Sequence, residues 1–182
     1  RKIAAVHEVG HLLANKLVCT HSTVKRISIL PRGGMLGFVH SEDNCIDKYN
    51  STKQEMLNDL VSTLAGRAAE EVVFGKENIT TGASSDINTA NRYARDIVTK
   101  YGMDDEFGLI IPYERDIITE AKATEKVKEI LDDSYEVAKK LISDNIDLVN
   151  NIADVLLDRE ELDEDEINNL FSMLKNKNIN LN

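Results

Sequence analysis

Cysteine, proline and aromatic residues are scarce in this chain: two cysteines, two prolines and no tryptophan stand among 182 residues. Cys19 and Cys45 are not in a CxxC spacing. That argues against a zinc ribbon and a disulfide framework, and it fits a reducing compartment. No apolar run approaches the ~18–20 residues needed to span a bilayer. Positive charge is in deficit too, with 22 Lys and Arg against 32 Asp and Glu and a formal net charge of -10. Nucleic acid is therefore not an expected partner, because its phosphates would be repelled. There is no initiator Met and no signal peptide: Arg1-Lys2-Ile3 already reads as the inside of a helix. The expectation is a soluble fragment of a longer protein.

What is present suits one sizeable globular domain, with 42% hydrophobic and 30% charged residues. Residues 2–18 carry Ile3, Val6, Leu13 and Leu17 at helical spacing. Residues 24–30 and 35–40 read as two strands joined through Pro31-Arg32-Gly33-Gly34, which makes a hairpin plausible. Ser51 with Gln54 has the form of a capping box. It opens a long helix that carries Met56, Leu60, Val61, Leu64 and Ala68 and stops at Gly75. Ser84 or Ser85 is expected to cap a further helix bearing Ile87, Ala90, Ala94, Ile97 and Val98, ending near Tyr101-Gly102.

A strand is possible at 108–111, and helices are expected at about 119–143, 145–157 and 164–176. Asp163 with Glu166, and Leu162 against Ile167, announce the last of them. The acidic run 158–166 reads as a solvated face and loop. The expected fold is mainly α with a small β-hairpin or sheet. Residues 1–111 should form the core that carries the chemistry, and 112–182 a helical subdomain of the same domain.

The chemistry lies in His7-Glu8-Val9-Gly10-His11, an HExxH pattern on the first helix. Four-residue spacing puts both imidazoles on one helix face, where they can reach one metal ion. Glu8 is offset by one position, placed to act on a water at that metal. Zinc lowers the pKa of such a water to roughly 7, so Glu8 can accept its proton and pass it to a leaving amine.

A catalytic zinc needs a third protein ligand. The metzincin pattern would require Gly at 14 and His at 17, where Ala14 and Leu17 stand. The remaining candidates are His21, His40, Glu70, Glu71 and Asp86. Glu70 and Glu71 lie in an otherwise apolar helix, and Asp86 follows a loop at a helix start. Spacing alone does not choose between Asp86 and Glu70. Apart from that choice, His21 and His40 read as loop and strand-end residues, and Cys19 and Cys45 as small core or surface residues.

From His7 to about Leu109 the chain resembles the peptidase domain of FtsH-type AAA+ zinc proteases. The resemblance rests on the HExxH segment, on Val24-Lys25-Arg26-Ile27-Ser28-Ile29-Leu30-Pro31-Arg32-Gly33 and on Leu64-Ala65-Gly66-Arg67-Ala68-Ala69-Glu70-Glu71. It continues through Thr81-Gly82-Ala83-Ser84-Ser85-Asp86-Ile87 and Ala94-Arg95-Asp96-Ile97-Val98. It implies a zincin-like fold with a helical C-terminal bundle, Zn2+ as cofactor, His7, His11 and Asp86 as ligands, and Glu8 as the catalytic base. Glu70 is implied as a supporting residue that orients a ligating histidine.

The resemblance also implies a homo-hexamer, an upstream AAA+ ATPase module, unfolded or membrane protein substrates, and a place on the cytoplasmic side of the cell membrane in a full-length bacterial protein. Position 9 is Val where the family commonly has Ala. The chain has no Gx4GK[ST] phosphate loop, so it should not itself bind ATP. Beyond about residue 112 the resemblance is in helical character only. Two other readings stand beside the protease domain: a stand-alone soluble zinc peptidase, and a catalytically idle interaction scaffold of the same fold.

Overall fold

A computed structural model of the chain describes residues 1–31, 33–34, 37–44, 50–113 and 116–179. Cys45, Arg32 and the expected strand start at 35–36 lie outside the described residues. The architecture is mainly helical with a small antiparallel sheet. The elements run α1 (Lys2–Val18), β1 (Ser22–Ser28), β2 (Phe38–Asp43), α2 (Lys53–Phe74), α3 (Ser84–Thr99), α4 (Ile117–Asp144), α5 (Ile146–Arg159), β3 (Glu161–Asp163) and α6 (Glu164–Ile179). No helix among the described residues is long and apolar enough to cross a membrane.

Helix α2 is the hub, because its two apolar faces serve two cores. Val61, Ala65 and Ala68 join Val6, Val9 and Leu13 of α1 in the larger core, with Val24 and Ile27 of β1 and Ile152 and Leu156 of α5. Leu60 and Leu64 point the other way, onto Ala90, Ala94 and Ile97 of α3 and onto Ala123 and Val127 of α4. Helices α1 and α2 approach closely at small residues. A Cβ at Gly10 would lie 2.5 Å from the Ala65 carbonyl oxygen and 2.7 Å from the Ala69 Cβ.

The sheet has the order β2-β1-β3. The expected hairpin forms, with Ile27 opposite Val39 and a register irregularity between Val24 and Arg26. Strand β3, which the sequence did not announce, pairs Leu162 with Ile27. β1 sits two residues earlier than expected, and β2 ends three residues later. β1 ends at Ser28, and the Ile29 N–H bonds to the Glu160 carbonyl at 2.9 Å instead of continuing the hairpin.

Other expectations need correction. The capping box of α2 is Thr52 with Glu55, not Ser51 with Gln54. The Thr52 N–H donates to the Glu55 carboxylate at 2.8 Å and the Glu55 N–H to the Thr52 hydroxyl at 3.2 Å. The shifted register gives the helix N-terminus an ionised acceptor, which is stronger there than an amide.

Neither Ser84 nor Ser85 caps α3. A 3-10 turn, Thr81–Ala83, runs straight into the helix, and Thr80 caps that turn through the Gly82 N–H. Residues 108–111 form no strand; Leu109 is 87% exposed, with no neighbouring strand among the described residues to pair with. Ile87, read as part of the apolar face of α3, is 37% exposed at its first turn. The start of α6 is as expected: Asp163 and Glu166 exchange backbone-to-carboxylate bonds at 2.9 and 3.0 Å, while Leu162 and Ile167 are both buried.

Close packing at Gly10 generates a stability prediction. Gly10→Ala should cost about 1–3 kcal/mol through overpacking against the α2 backbone, read as a lowered midpoint in chemical denaturation. Unchanged stability would mean that the two helices can part there at no cost.

Candidate metal centre

Two imidazoles one turn apart on α1 face the middle of α2. The His7 Nδ1–H donates to the Glu70 carboxylate at 2.6 Å, and the His11 Nδ1–H donates to the Ser62 carbonyl at 2.7 Å. Because both Nδ1 atoms act as donors, each neutral ring carries its lone pair on Nε2. Those Nε2 atoms face one another at 3.1 Å. Asp86, in the first turn of α3, brings Oδ2 to 3.1 Å from His7 Nε2 and 3.4 Å from His11 Nε2. Three lone-pair donors thus converge on one point.

Glycine makes the room. A Cβ at Gly66 would lie 2.5 Å from both Nε2 atoms. Glu70 is 1% exposed, yet both its oxygens are occupied: Oε1 by His7, and Oε2 by the Thr80 N–H at 2.6 Å. A buried carboxylate is tolerated when it is bonded in this way. Glu8 is buried beside the cluster, against the chain entering β2. A Cβ at Gly37 would come within 2.6 Å of Glu8 Oε1.

The electrostatics follow from this crowding. Burial drives the Glu8 carboxyl above its ordinary pKa, although His11 and His7 pull the other way. Burial also pushes Asp86 upward, but the adjoining His11 and His7 imidazoles outweigh it and hold Asp86 well below the usual carboxylate range. For His7, burial pulls downward, yet the bonds to Asp86 and Glu70 and the nearby Glu8 charge raise the imidazole overall. Three carboxylates around two imidazoles call for positive charge at the centre, as a proton or as a cation.

The donor set fits the zinc ion that the HExxH pattern leads one to expect. With zinc–nitrogen and zinc–oxygen bonds of about 2.0–2.2 Å, tetrahedral ligands stand about 3.3–3.5 Å apart. The separations here, 3.1 to 3.4 Å, are close to that. Both rings are also held from behind at Nδ1, the arrangement metal-binding histidines need.

The other candidate ligands go elsewhere. His21 bonds to Asp59 at 2.7 Å, and His40 is exposed beside Glu42 at 3.3 Å. Glu71 turns outward to the Tyr135 hydroxyl at 2.5 Å and to Lys139. Cys19 is buried, and burial together with Asp59 pushes its thiol up to about 12, so it is no nucleophile. Sequence reasoning gave no role to Gly66, Gly37 or the Ser62 carbonyl. For Gly66 a signal existed: glycine inside a long helix costs roughly 1 kcal/mol relative to alanine and calls for a reason.

With this geometry in hand, likeness to known proteins becomes specific. The model of peptidase family M41 matches residues 1–170. ATP-dependent zinc metalloprotease FtsH 1 of Alkaliphilus metalliredigens is 37% identical over 176 residues, covering 94% of this chain and 30% of the relative. FtsH 3 of Synechocystis sp. is 33% identical over 191 residues, covering 94% and 31%. The chloroplastic FTSH 6 of Arabidopsis thaliana is 34% identical over 199 residues, covering 99% and 28%. The chain therefore spans under a third of the length of these curated relatives. A match across nearly the whole chain, HExxH helix included, identifies it as a member of peptidase family M41.

Proposed function

We propose that this chain is the zinc endopeptidase portion of an ATP-dependent FtsH-type protease. His7, His11 and Asp86 hold the metal, Glu8 is the general base, and Glu70 orients His7. The observation that carries the reading is the convergence of two Nε2 lone pairs and Asp86 Oδ2 at 3.1 to 3.4 Å. Relatives named ATP-dependent zinc metalloproteases support the class of activity.

Bound zinc supplies Lewis acidity, which makes water nucleophilic near neutral pH and polarises a carbonyl. The protein supplies positioning and proton transfer. Glu8, buried and with a raised pKa, is tuned to accept the proton of the attacking water and to return it to the leaving amine. Its oxygen lies against the chain at Gly37, one residue ahead of β2. β2 is an edge strand, so an extended peptide can add to it through backbone hydrogen bonds, with Glu8 at the end of that track. Backbone recognition tolerates many side chains, as degradation of unfolded or membrane proteins requires.

Residues 1–111 carry this chemistry, and 112–182 serve as the helical subdomain that braces it. In the whole protein, an upstream AAA+ ATPase module delivers substrate, six copies assemble, and segments outside this chain attach it to the cytoplasmic side of the membrane. These last features rest on the resemblance and, for ATP, on the relatives' names.

Three outcomes test the reading. Purified chain should carry about one zinc at the His7 cluster, largely lost in Asp86→Ala and mostly kept in Glu70→Ala, whose affinity falls about 10–100-fold. Loss mainly in Glu70→Ala would move the third ligand to that residue. Glu8→Gln should keep zinc while hydrolysis of an unstructured labelled protein drops by about 10²–10⁴-fold; full zinc with no hydrolysis in the wild type would favour the idle scaffold. Gly66→Ala should fold but lose zinc, because its Cβ occupies the place where the imidazoles meet. Zinc retained there at wild-type affinity would refute the geometry.

A further inference from the structure

A second group of donor atoms converges at the other end of the α1–α2 seam. Cys19 follows the last residue of α1, His21 stands just ahead of β1, and Asp59 lies in the second turn of α2. A sulfur, an imidazole nitrogen and a carboxylate oxygen from these three residues lie within 4.8 Å of one another. His21 Nε2 is 2.7 Å from Asp59 Oδ1, and Cys19 Sγ is 3.7 Å from the same oxygen. The other carboxylate oxygen accepts from the Tyr93 hydroxyl of α3 at 3.1 Å.

A plain hydrogen-bonded latch would explain part of this. His21 Nδ1 is buried with no hydrogen-bond partner, and a cation on Nε2 would leave it so, so this atom does not choose between a latch and a cation. The Cys19 thiol donates to the Asn58 carbonyl at 3.5 Å, a bond that does not need the imidazole or the carboxylate beside it. Thiolate, imidazole and carboxylate together are donors suited to zinc-class divalent cations. With zinc–sulfur at about 2.3 Å and zinc–oxygen at about 2.1 Å, tetrahedral sulfur and oxygen ligands stand about 3.6 Å apart. The Cys19–Asp59 separation already matches. The His21–Asp59 pair, at 2.7 Å, would open by about 0.7 Å to reach the corresponding spacing. A nucleophilic role for Cys19 is closed off by its burial, at 2% exposure.

We propose that Cys19, His21 and Asp59 form a second site for a thiophilic divalent cation, distinct from the His7 cluster, that ties the α1–β1 turn to α2 and α3. The sulfur–metal bond forms as the Cys19 proton leaves to solvent, and no electrons change hands. The site needs nothing from the peptidase reaction, so it stands or falls separately from the function proposed above.

Cobalt(II) is the probe, because the His7 cluster contains no sulfur. Only a site with a cysteine ligand gives a near-ultraviolet thiolate-to-cobalt charge-transfer band. The test begins in Cys45→Ser, which leaves Cys19 as the one thiol of the chain. The expected result is a saturable band equivalent to one cobalt per chain, in addition to the cobalt at the His7 cluster. The band should persist in a His11→Ala background, disappear in Cys19→Ser, and need at least tenfold more cobalt in Asp59→Asn. Absence of the band from Cys45→Ser, or its survival in Cys19→Ser, would overturn the site. Should Cys19→Ser fail to fold, the Cys45→Ser titration decides alone.

Discussion

Everything in this structure depends on how closely α1 can approach α2. His7 and His11 of α1 reach their partners only because the facing surface of α2 is nearly bare. Ala65, Gly66 and Ala69 present little beyond backbone, and Gly10 answers them from α1. The effect is more than space. In a helix, the carbonyl of residue i bonds to the N–H of i+4 and is shielded by the side chain there. The residue four beyond Ser62 is Gly66, so a second lone pair of the Ser62 carbonyl stays open to the His11 Nδ1–H at 2.7 Å. One missing Cβ therefore exposes the acceptor that fixes the His11 tautomer and also clears the point where both Nε2 atoms meet.

That tautomer is the link from packing to chemistry. Imidazoles whose Nδ1 atoms are committed to a carboxylate and a carbonyl must present lone pairs at Nε2, and two lone pairs 3.1 Å apart repel. Folding holds them together anyway, because the apolar flanks of the same helix, Val6, Val9, Leu12 and Leu13, are completely buried. The hydrophobic effect thus pays for an electrostatic arrangement that is unfavourable until a positive charge arrives. Asp86 adds a negative charge to the same point from α3, so a cation would join α1 and α3 directly, and α2 through the bonds of Glu70 and the Ser62 carbonyl to the imidazoles. A structure built this way should be most cooperative with the cation in place.

Much of this was legible in the sequence, for reasons that differ residue by residue. HExxH is readable because four-residue spacing is itself the geometry, and the helix it sits on is fixed by its apolar flanks. Asp86 was one of five open candidates, because sequence spacing carries no information about how α3 folds back on α1. The resemblance favoured it, and the fold brings it to the cluster. Glu70 stood out as a carboxylate in an apolar helix, but its bond to the Thr80 N–H, ten residues on, depends on how the chain turns after Gly75. The three-residue β3 was invisible because it lies between two helices with no alternating run of its own. Its pairing comes from α5 packing on α1 and delivering Leu162 beside Ile27. The Ser51 reading failed by one residue, since T-x-x-E and S-x-x-Q overlap in that segment and only the helix register tells them apart.

The same seam explains why polar chemistry gathers at both ends of α1. The residues of α2 that meet it, Asn58, Asp59, Ser62, Ala65, Gly66, Ala69 and Glu70, recur every three or four positions as a single stripe. Small residues occupy the middle, where the helices touch, and polar ones flank them. The Asn58 side chain bonds the Val18 carbonyl at 2.9 Å, satisfying the C-terminal end of α1. Asp59 and Glu70 lie eleven residues apart, about three turns, and each takes one imidazole of the opposing segment, His21 at one end and His7 at the other. A helix pinned by charge at both ends and packed on glycine and alanine between them has little freedom to slide or rotate. The proposed metal site would need that rigidity, because an error of about 1 Å in a reacting group can cost about a hundredfold in rate.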